Sequence, residues 1–317
     1  MADRLQDWVS RIREGEVRSL ARAITAIENR DADSVELLKA LFPHSGKAQV
    51  IGLTGAPGSG KSTLVDQLAR EYRKQAKTIG IVAVDPTSPY TGGAILGDRI
   101  RMQAHHADAG IFIRSMATRG FLGGLARTTA DVTSVLDAAG KDLILVETVG
   151  VGQDEIDIVR LADVTVVILV PGMGDDVQTI KAGIMEIADI FVINKSDREG
   201  AERVEREIRA MQTLAVRKDG WTPPIVKTVA SEGQGIAELA AAIAEYEKFA
   251  AKAGVAVKKR AENWRERLLE MLREALMERL LREQLNDGQL GDYAAQIAAH
   301  QRDPYALVEE IVKKAGK

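Results

Sequence analysis

Residues 50–63 read VIGLTGAPGSGKST, Val50 through Thr63. The apolar run Val50 to Leu53 predicts a strand. Gly55, Ala56, Pro57, Gly58, Ser59, Gly60, Lys61 and Ser62 then satisfy G-x-x-x-x-G-K-[ST] at every fixed position. Beyond Thr63, the apolar positions Leu64, Leu68 and Tyr72 predict an amphipathic helix. Strand, glycine-rich loop and helix in this order make a phosphate-binding loop. Glycines without Cβ let consecutive backbone N–H groups turn inward around a β-phosphate, and the helix presents its positive dipole end to the anion. Lys61 is expected to reach the β- and γ-phosphates, and the Ser62 hydroxyl to hold Mg²⁺.

Outward from this loop, short β-branched runs alternate with helical stretches: Val50–Leu53, Thr78–Val84, Gly110–Ile113, Leu143–Glu147, Val164–Val170, Ile190–Asn194 and Ile225–Thr228. Each is apolar on both faces, as parallel strands covered by helices on either side must be. The expected fold is α/β, a mostly parallel P-loop NTPase sheet flanked by helices, with ligand loops at the carboxyl ends of the strands. Residues 1–46 carry apolar positions at helical spacing and end in the breakers Phe42-Pro43-His44-Ser45-Gly46, which predicts an N-terminal helical extension. The GTPase domain is placed at 47–252. Residues 253–317 form a helical arm, with a wide apolar stripe from Trp264 to Leu285 that Asn286-Asp287-Gly288 ends, and a last helix after Pro304. Packing of that stripe on its own domain is open; the expectation is that it joins two subunits as a homodimer.

Further motifs fall at strand ends. The run Asp142 to Glu147 ends in a carboxylate, with Gly150 three residues later: an acid to orient Mg²⁺ or its water, and an amide able to approach a γ-phosphate. Glutamate is longer than the aspartate usual at such a position, which suggests contact through water. Gln153 is the best chemical candidate for orienting a hydrolytic water, although a solvated loop amide is equally open. Asp85, and more weakly Asp98, can reach the Mg²⁺ surroundings, because Mg²⁺ keeps several waters. The run Ile190–Ile193 delivers Asn194-Lys195-Ser196-Asp197, fitting N-K-x-D. Ionised Asp197 would accept from N1–H and the N2 amino group of guanine, Asn194 would tie the loop and meet the purine edge, and the Lys195 stem would cover a base face. Adenine lacks the N1 proton, so GTP/GDP is the expected nucleotide rather than ATP. At Ala230 and Ser231 a backbone amide could contact guanine O6. Pro171 to Lys181, rich in glycine and charge, reads as a mobile segment or as an ordinary strand-to-helix loop.

Composition narrows the partners. The 317 residues carry a formal charge of −3 with mixed signs, giving no broad field for nucleic acid or anionic membrane. No apolar stretch approaches the length of a membrane span, the first residues are too charged for a signal peptide, and there are no cysteines. A cytoplasmic location is expected.

With GAPGSGKST, VDPTSPYTGGAILGDRIRM, RSMATRGFLGGLA, VETVGVGQDE and VPGMGDDVQTIKAGIMEIADIFVINKSD assembled, the chain resembles over nearly its whole length the metallochaperone-like P-loop GTPases of the MeaB/ArgK/MMAA type. The resemblance implies a GTPase that escorts a B12-dependent acyl-CoA mutase, methylmalonyl-CoA mutase or a relative. It would gate adenosylcobalamin loading and protect or reactivate that mutase, with an adenosyltransferase as a further partner. It places Ser62, Asp85, Asp98 and Glu147 around Mg²⁺, and makes glutamate at 147 a feature of this branch. It makes Asp175 to Lys181 an extra switch that senses the partner, so that Lys181 joins Lys61, Glu147, Gly150 and Gln153 in acting on hydrolysis. Intrinsic hydrolysis is expected to be slow and stimulated by the mutase. A nickel-insertion GTPase is a rival, opposed by the absence of cysteine and by His105-His106 lying in an expected helix. A small-molecule kinase is another, opposed by Asn194 and Asp197. A nucleotide-binding scaffold without turnover also remains open.

Overall fold

The computed structural model describes residues 2–85, 108–117, 124–148, 161–172, 187–214, 217, 219–283, 285 and 287–315. Two compact units emerge, residues 1–260 and 261–317.

In the first unit, the described residues form seven strands: β1 (Gln49–Gly55), β2 (Ile79–Asp85), β3 (Ile111–Ala117), β4 (Leu143–Glu147), β5 (Val164–Leu169), β6 (Ile190–Asn194) and β7 (Ile225–Thr228). They pair in the order β3-β2-β4-β1-β5-β6-β7, and every pairing is parallel. All seven apolar runs read from the sequence are strands, and the α/β expectation holds. The strand carrying the phosphate loop is central, flanked by β4 and β5.

Period-two alternation divides the sheet's side chains between two layers. Ile51, Leu53, Leu143, Leu145, Ile190 and Val192 face α4 (Lys61–Lys74) and, further along the chain, the helix Ile236–Lys252. On the other side, Val50, Val82, Ile144 and Val146 meet α1 (Ala2–Arg13), α2 (Val17–Asn29), α3 (Ser34–Leu41) and α5 (Gly124–Ala138). Phe191 and Ile193 meet α6 (Ala201–Leu214), and the helix Ile236–Lys252 is α7. Thus the N-terminal helices supply part of one covering layer. A fully buried leucine there, such as Leu20 or Leu37, contributes about 2 kcal/mol through removal from water.

Three aspartates, each immediately before a strand, fasten the strand starts. Asp142 accepts from Thr78 N beside β2 at 2.7 Å, Asp163 from Val50 N of β1 at 2.9 Å, and Asp189 from Thr165 N of β5 at 2.9 Å. Each carboxylate satisfies a neighbouring strand's N–H, so the strands keep a common register at that end.

α8 (Val255–Glu283) begins in the first unit and continues into the second, where α9 (Asp287–Ala298) and α10 (Pro304–Ala315) follow. The stop expected at 286–288 is followed by a helix, α9, which the sequence reading omitted. Asp287 and Gly288 open this helix after the break that follows Glu283, and Ala294, Ala295 and Ala298 further along are strong helix formers. Along α8, Leu268, Leu272 and Leu276 lie one turn apart and are exposed. No helix among the described residues is long and apolar enough to cross a membrane.

Candidate functional site

The loop between β1 and α4 is shaped by glycine at two points. Gly60, φ +91°, precedes the first helical residue Lys61; a Cβ there would lie 2.4 Å from Asn194 Nδ2. At Gly55 a Cβ would stand 2.3 Å from the Ile168 carbonyl oxygen of neighbouring β5. Any larger residue would push apart the elements that close the cradle. Lys61 is almost fully buried, and its Nζ donates to the carbonyls of Gly55 (2.8 Å) and Ala56 (3.1 Å). Its charge is therefore held within the ring of loop residues that an anion would enter.

The β1–β4 pairing sets Leu53 opposite Glu147, so the acid emerges beside the first turn of α4. There Ser62 Oγ donates to Glu147 Oε1 at 2.7 Å, with both residues buried. The sequence predicts that Glu147 meets Mg²⁺ through water; in the fold its Oε1 also accepts directly from the Ser62 hydroxyl. A hydroxyl and a carboxylate side by side at the helix start are the hard oxygen donors that Mg²⁺ takes, so this pair fits the ion. Asp85 ends β2 two residues beyond Ala83, which pairs with Glu147. Asp98, Gly150, Gln153, Asp175, Lys181 and the His105-His106 pair lie outside the described residues.

Asn194, at the carboxyl end of β6, joins three segments. Its Nδ2 donates to the Ser59 carbonyl (2.8 Å), while its Oδ1 accepts from Thr228 Oγ1 and from Ala230 N, both at 3.1 Å. The phosphate loop, β6 and the 3₁₀ turn Ala230–Glu232 are thereby registered through one buried amide. The Ala230 amide, expected to meet a base oxygen, donates to Asn194 here. Lys195, at φ +56°, reaches back so that its Nζ donates to the Gly58 carbonyl at 2.7 Å. It too braces the phosphate loop. Asp197 stands exposed on the loop after β6, available to a ligand from solvent. The sequence reading missed Thr228 as an Asn194 partner, because a hydroxyl at the end of an edge strand carries no motif of its own.

Away from the loops, Asp189 is buried and also accepts from Lys259 Nζ (2.9 Å) and Arg217 Nη2 (3.1 Å), while Arg260 pairs with Asp163 at 2.8 Å. Burial opposes the Arg217 charge, yet the hydrogen bond to Asp219 and the charges of Asp189 and Asp219 outweigh it and raise the guanidinium pKa. One signal for these carboxylates was present in the sequence. Ala-Asp stands directly before a strand run twice, at Ala162-Asp163 and Ala188-Asp189.

The family described as methylmalonyl-CoA mutase-associated GTPase MeaB matches residues 20–285. A Pyrococcus abyssi protein provisionally named a GTPase is 46% identical over 313 residues, 98% of this chain and 96% of that protein. GTPase ArgK of Escherichia coli is 38% identical over 250 residues, 76% of either chain. The crystal structure of an LAO/AO transport system kinase superposes with a TM-score of 0.73 at 26% identity, covering 99% of this chain and 98% of that one. The match spans the phosphate loop, the Glu147 strand and the Asn194 loop together: the chain belongs to the MeaB family of mutase-associated GTPases.

Proposed function

We propose that the chain is a GTP-hydrolysing chaperone that gates adenosylcobalamin loading of a B12-dependent acyl-CoA mutase and protects or reactivates it. The observation that carries the hydrolytic part is the Ser62 Oγ to Glu147 Oε1 contact at 2.7 Å beside a Lys61 held in the loop. Ser62 and Glu147, joined by Asp85 and Asp98, would hold Mg²⁺, which when bound neutralises charge on the β- and γ-phosphates. The chain's own residues do the rest. Backbone N–H groups of residues 56–62 cradle the phosphates, Lys61 leaves its carbonyl partners for phosphate oxygens, Asn194 fixes the base loop, and Asp197 reads guanine. Gly150, Gln153 and Lys181 are assigned to γ-phosphate sensing, water orientation and partner response.

The mutase reading rests on family membership, since the family's own description names methylmalonyl-CoA mutase. The exposed Leu268, Leu272 and Leu276 row on α8 suits a homodimer contact. Hydrolysis is taken to be slow in the chain alone and accelerated by the mutase, as for GTPases whose site is completed in trans. Phosphate release from GTP tests the reading, with and without a purified B12-dependent mutase. Stimulation is expected, and Lys61→Ala should lower turnover at least a hundredfold. Undiminished turnover in that variant would overturn the phosphate-loop assignment, and equal rates with and without the mutase would overturn the partner.

A further inference from the structure

The alternation that buries Val50, Ile144 and Val146 against the N-terminal helices and α5 runs on to one further pair of positions, and there the side chains are polar. The register of β1 with β4 sets Val50 opposite Ile144 and Gly52 opposite Val146, so the next rung on that face sets Thr54 opposite Thr148. Both threonines are buried, at 1% and 5% exposed. Thr148 Oγ1 donates to Thr54 Oγ1 at 3.2 Å, and Thr148 N donates to the Leu53 carbonyl, also at 3.2 Å. Valine would fill the same space in this apolar layer without needing a partner. Two threonines facing one another there call for a physical reason.

Their place in the chain supplies one. Thr54 precedes Gly55, the first residue of the phosphate loop, and Thr148 follows Glu147, whose Oε1 accepts from the Ser62 hydroxyl at 2.7 Å. The paired part of β1 and β4 ends at Leu53 and Glu147. With nothing beyond that rung, the peptide on the carboxyl side of Glu147 would be free to swing. The Thr148 amide and hydroxyl hold it to β1 instead, so the backbone of Glu147 is fixed on both sides. An ion that demands near-ideal octahedral geometry at about 2 Å tolerates little play in the groups that surround it. The start of the phosphate loop, the acid and the first turn of α4 are thus held as one unit. Both hydroxyls are spent on each other in a buried layer, so their influence on a ligand runs through Glu147.

We propose that Thr54 and Thr148 are a positioning pair for Mg²⁺: their hydroxyl contact sets the direction of the Glu147 carboxylate and thereby how strongly the nucleotide-bound ion is held. The proposal rests on the assignment of Ser62 and Glu147 to that ion. Its test is the affinity of the full chain for a fluorescent, non-hydrolysable GTP analogue, measured in MgCl₂ and again in EDTA. The ratio of the two affinities reads the contribution of the ion. Thr54→Val and Thr148→Val should each lower that ratio about threefold to tenfold, the range for one neutral hydrogen bond, and leave the affinity in EDTA unchanged. Thr148→Ser keeps the hydroxyl and should keep the parental ratio. The double valine variant should lose no more than the weaker single variant, because both substitutions remove the same contact. GTP turnover at limiting Mg²⁺ should follow the same order. Valine suits the apolar layer, so these variants should fold, and urea unfolding checks that they do. A parental ratio in both valine variants, an equal loss of affinity with and without the ion, a serine variant as impaired as the valine one, or losses that multiply in the double variant would overturn the pair's role. A parent chain whose affinity does not respond to Mg²⁺ would overturn the Ser62 and Glu147 assignment itself, and the proposal with it.

Discussion

Exchanging a single atom pair at Asn194 tests how the nucleotide loops are held together. In Asn194→Asp the Nδ2 donor, 2.8 Å from the Ser59 carbonyl, becomes a second oxygen, while the acceptor facing Thr228 Oγ1 and Ala230 N is kept. Loss of the bond and the orphaned Ser59 carbonyl cost about 1–3 kcal/mol. The residue is only 2% exposed, so burial and the facing carbonyl raise the new carboxyl's pKa, at about 1.4 kcal/mol per unit. The retained donors offset part of this, leaving a net loss of roughly 3 kcal/mol at pH 8. The sign follows from linkage: a carboxyl whose folded pKa exceeds its unfolded value of about 3.9 destabilises progressively as pH rises between the two. Protonated, the side chain can donate to Ser59 again, so the deficit should be smaller at pH 5. Urea unfolding without nucleotide, at pH 5 and pH 8, reads both values; the midpoint should fall by on the order of 1 M at pH 8. An unchanged midpoint at pH 8, or equal losses at both pH values, would refute the view that this amide staples the phosphate loop to β6.

Other outcomes follow from the same contacts. Asp189→Ala leaves Lys259, Arg217 and Thr165 N without their shared buried acceptor and should cost about 3–5 kcal/mol in equilibrium unfolding; a loss below 1 kcal/mol would show that water replaces the carboxylate. The backbone and side chain of Thr78 hold the Asp142 carboxyl below its usual range. Its stabilisation is thus present above about pH 4 and lost as pH falls through the lowered value. Solvent screening keeps it under about 1 kcal/mol, so Asp142→Asn should be less stable than the parent at pH 7 and indistinguishable near pH 2. Asp197→Asn should weaken GTP at least tenfold and improve binding of xanthosine triphosphate, measured by competitive displacement of a fluorescent guanine nucleotide; unchanged GTP affinity removes Asp197 from base reading.

Much of this was legible in the chain because it is local. Residues 50–63 contain strand, loop and helix start within one contiguous stretch, so spacing alone specified the cradle and the place of Lys61. The seven strands were readable because burial on both faces leaves uninterrupted apolar runs. α9 was hidden because a turn dipeptide, Asp287-Gly288, is a stronger local signal than a few alanines. Asp163 and Asp189 were hidden because an aspartate before a strand reads as a turn former, and its acceptor role depends on which strand lies alongside.

By itself, then, the sequence determined the α/β class, the phosphate loop, the guanine-type loop at Asn194–Asp197 and the resemblance to a mutase-associated GTPase, all of which depend on residue type at short separation. Only the tertiary structure decided that Ser62 and Glu147, 85 residues apart, touch at 2.7 Å. It also decided that Asn194 and Lys195 grip the phosphate loop. These contacts follow from the strand order, which sets β4 and β5 on either side of β1. Strand order is fixed by how two helical layers cover both faces of the sheet, and no short stretch of the chain carries that information.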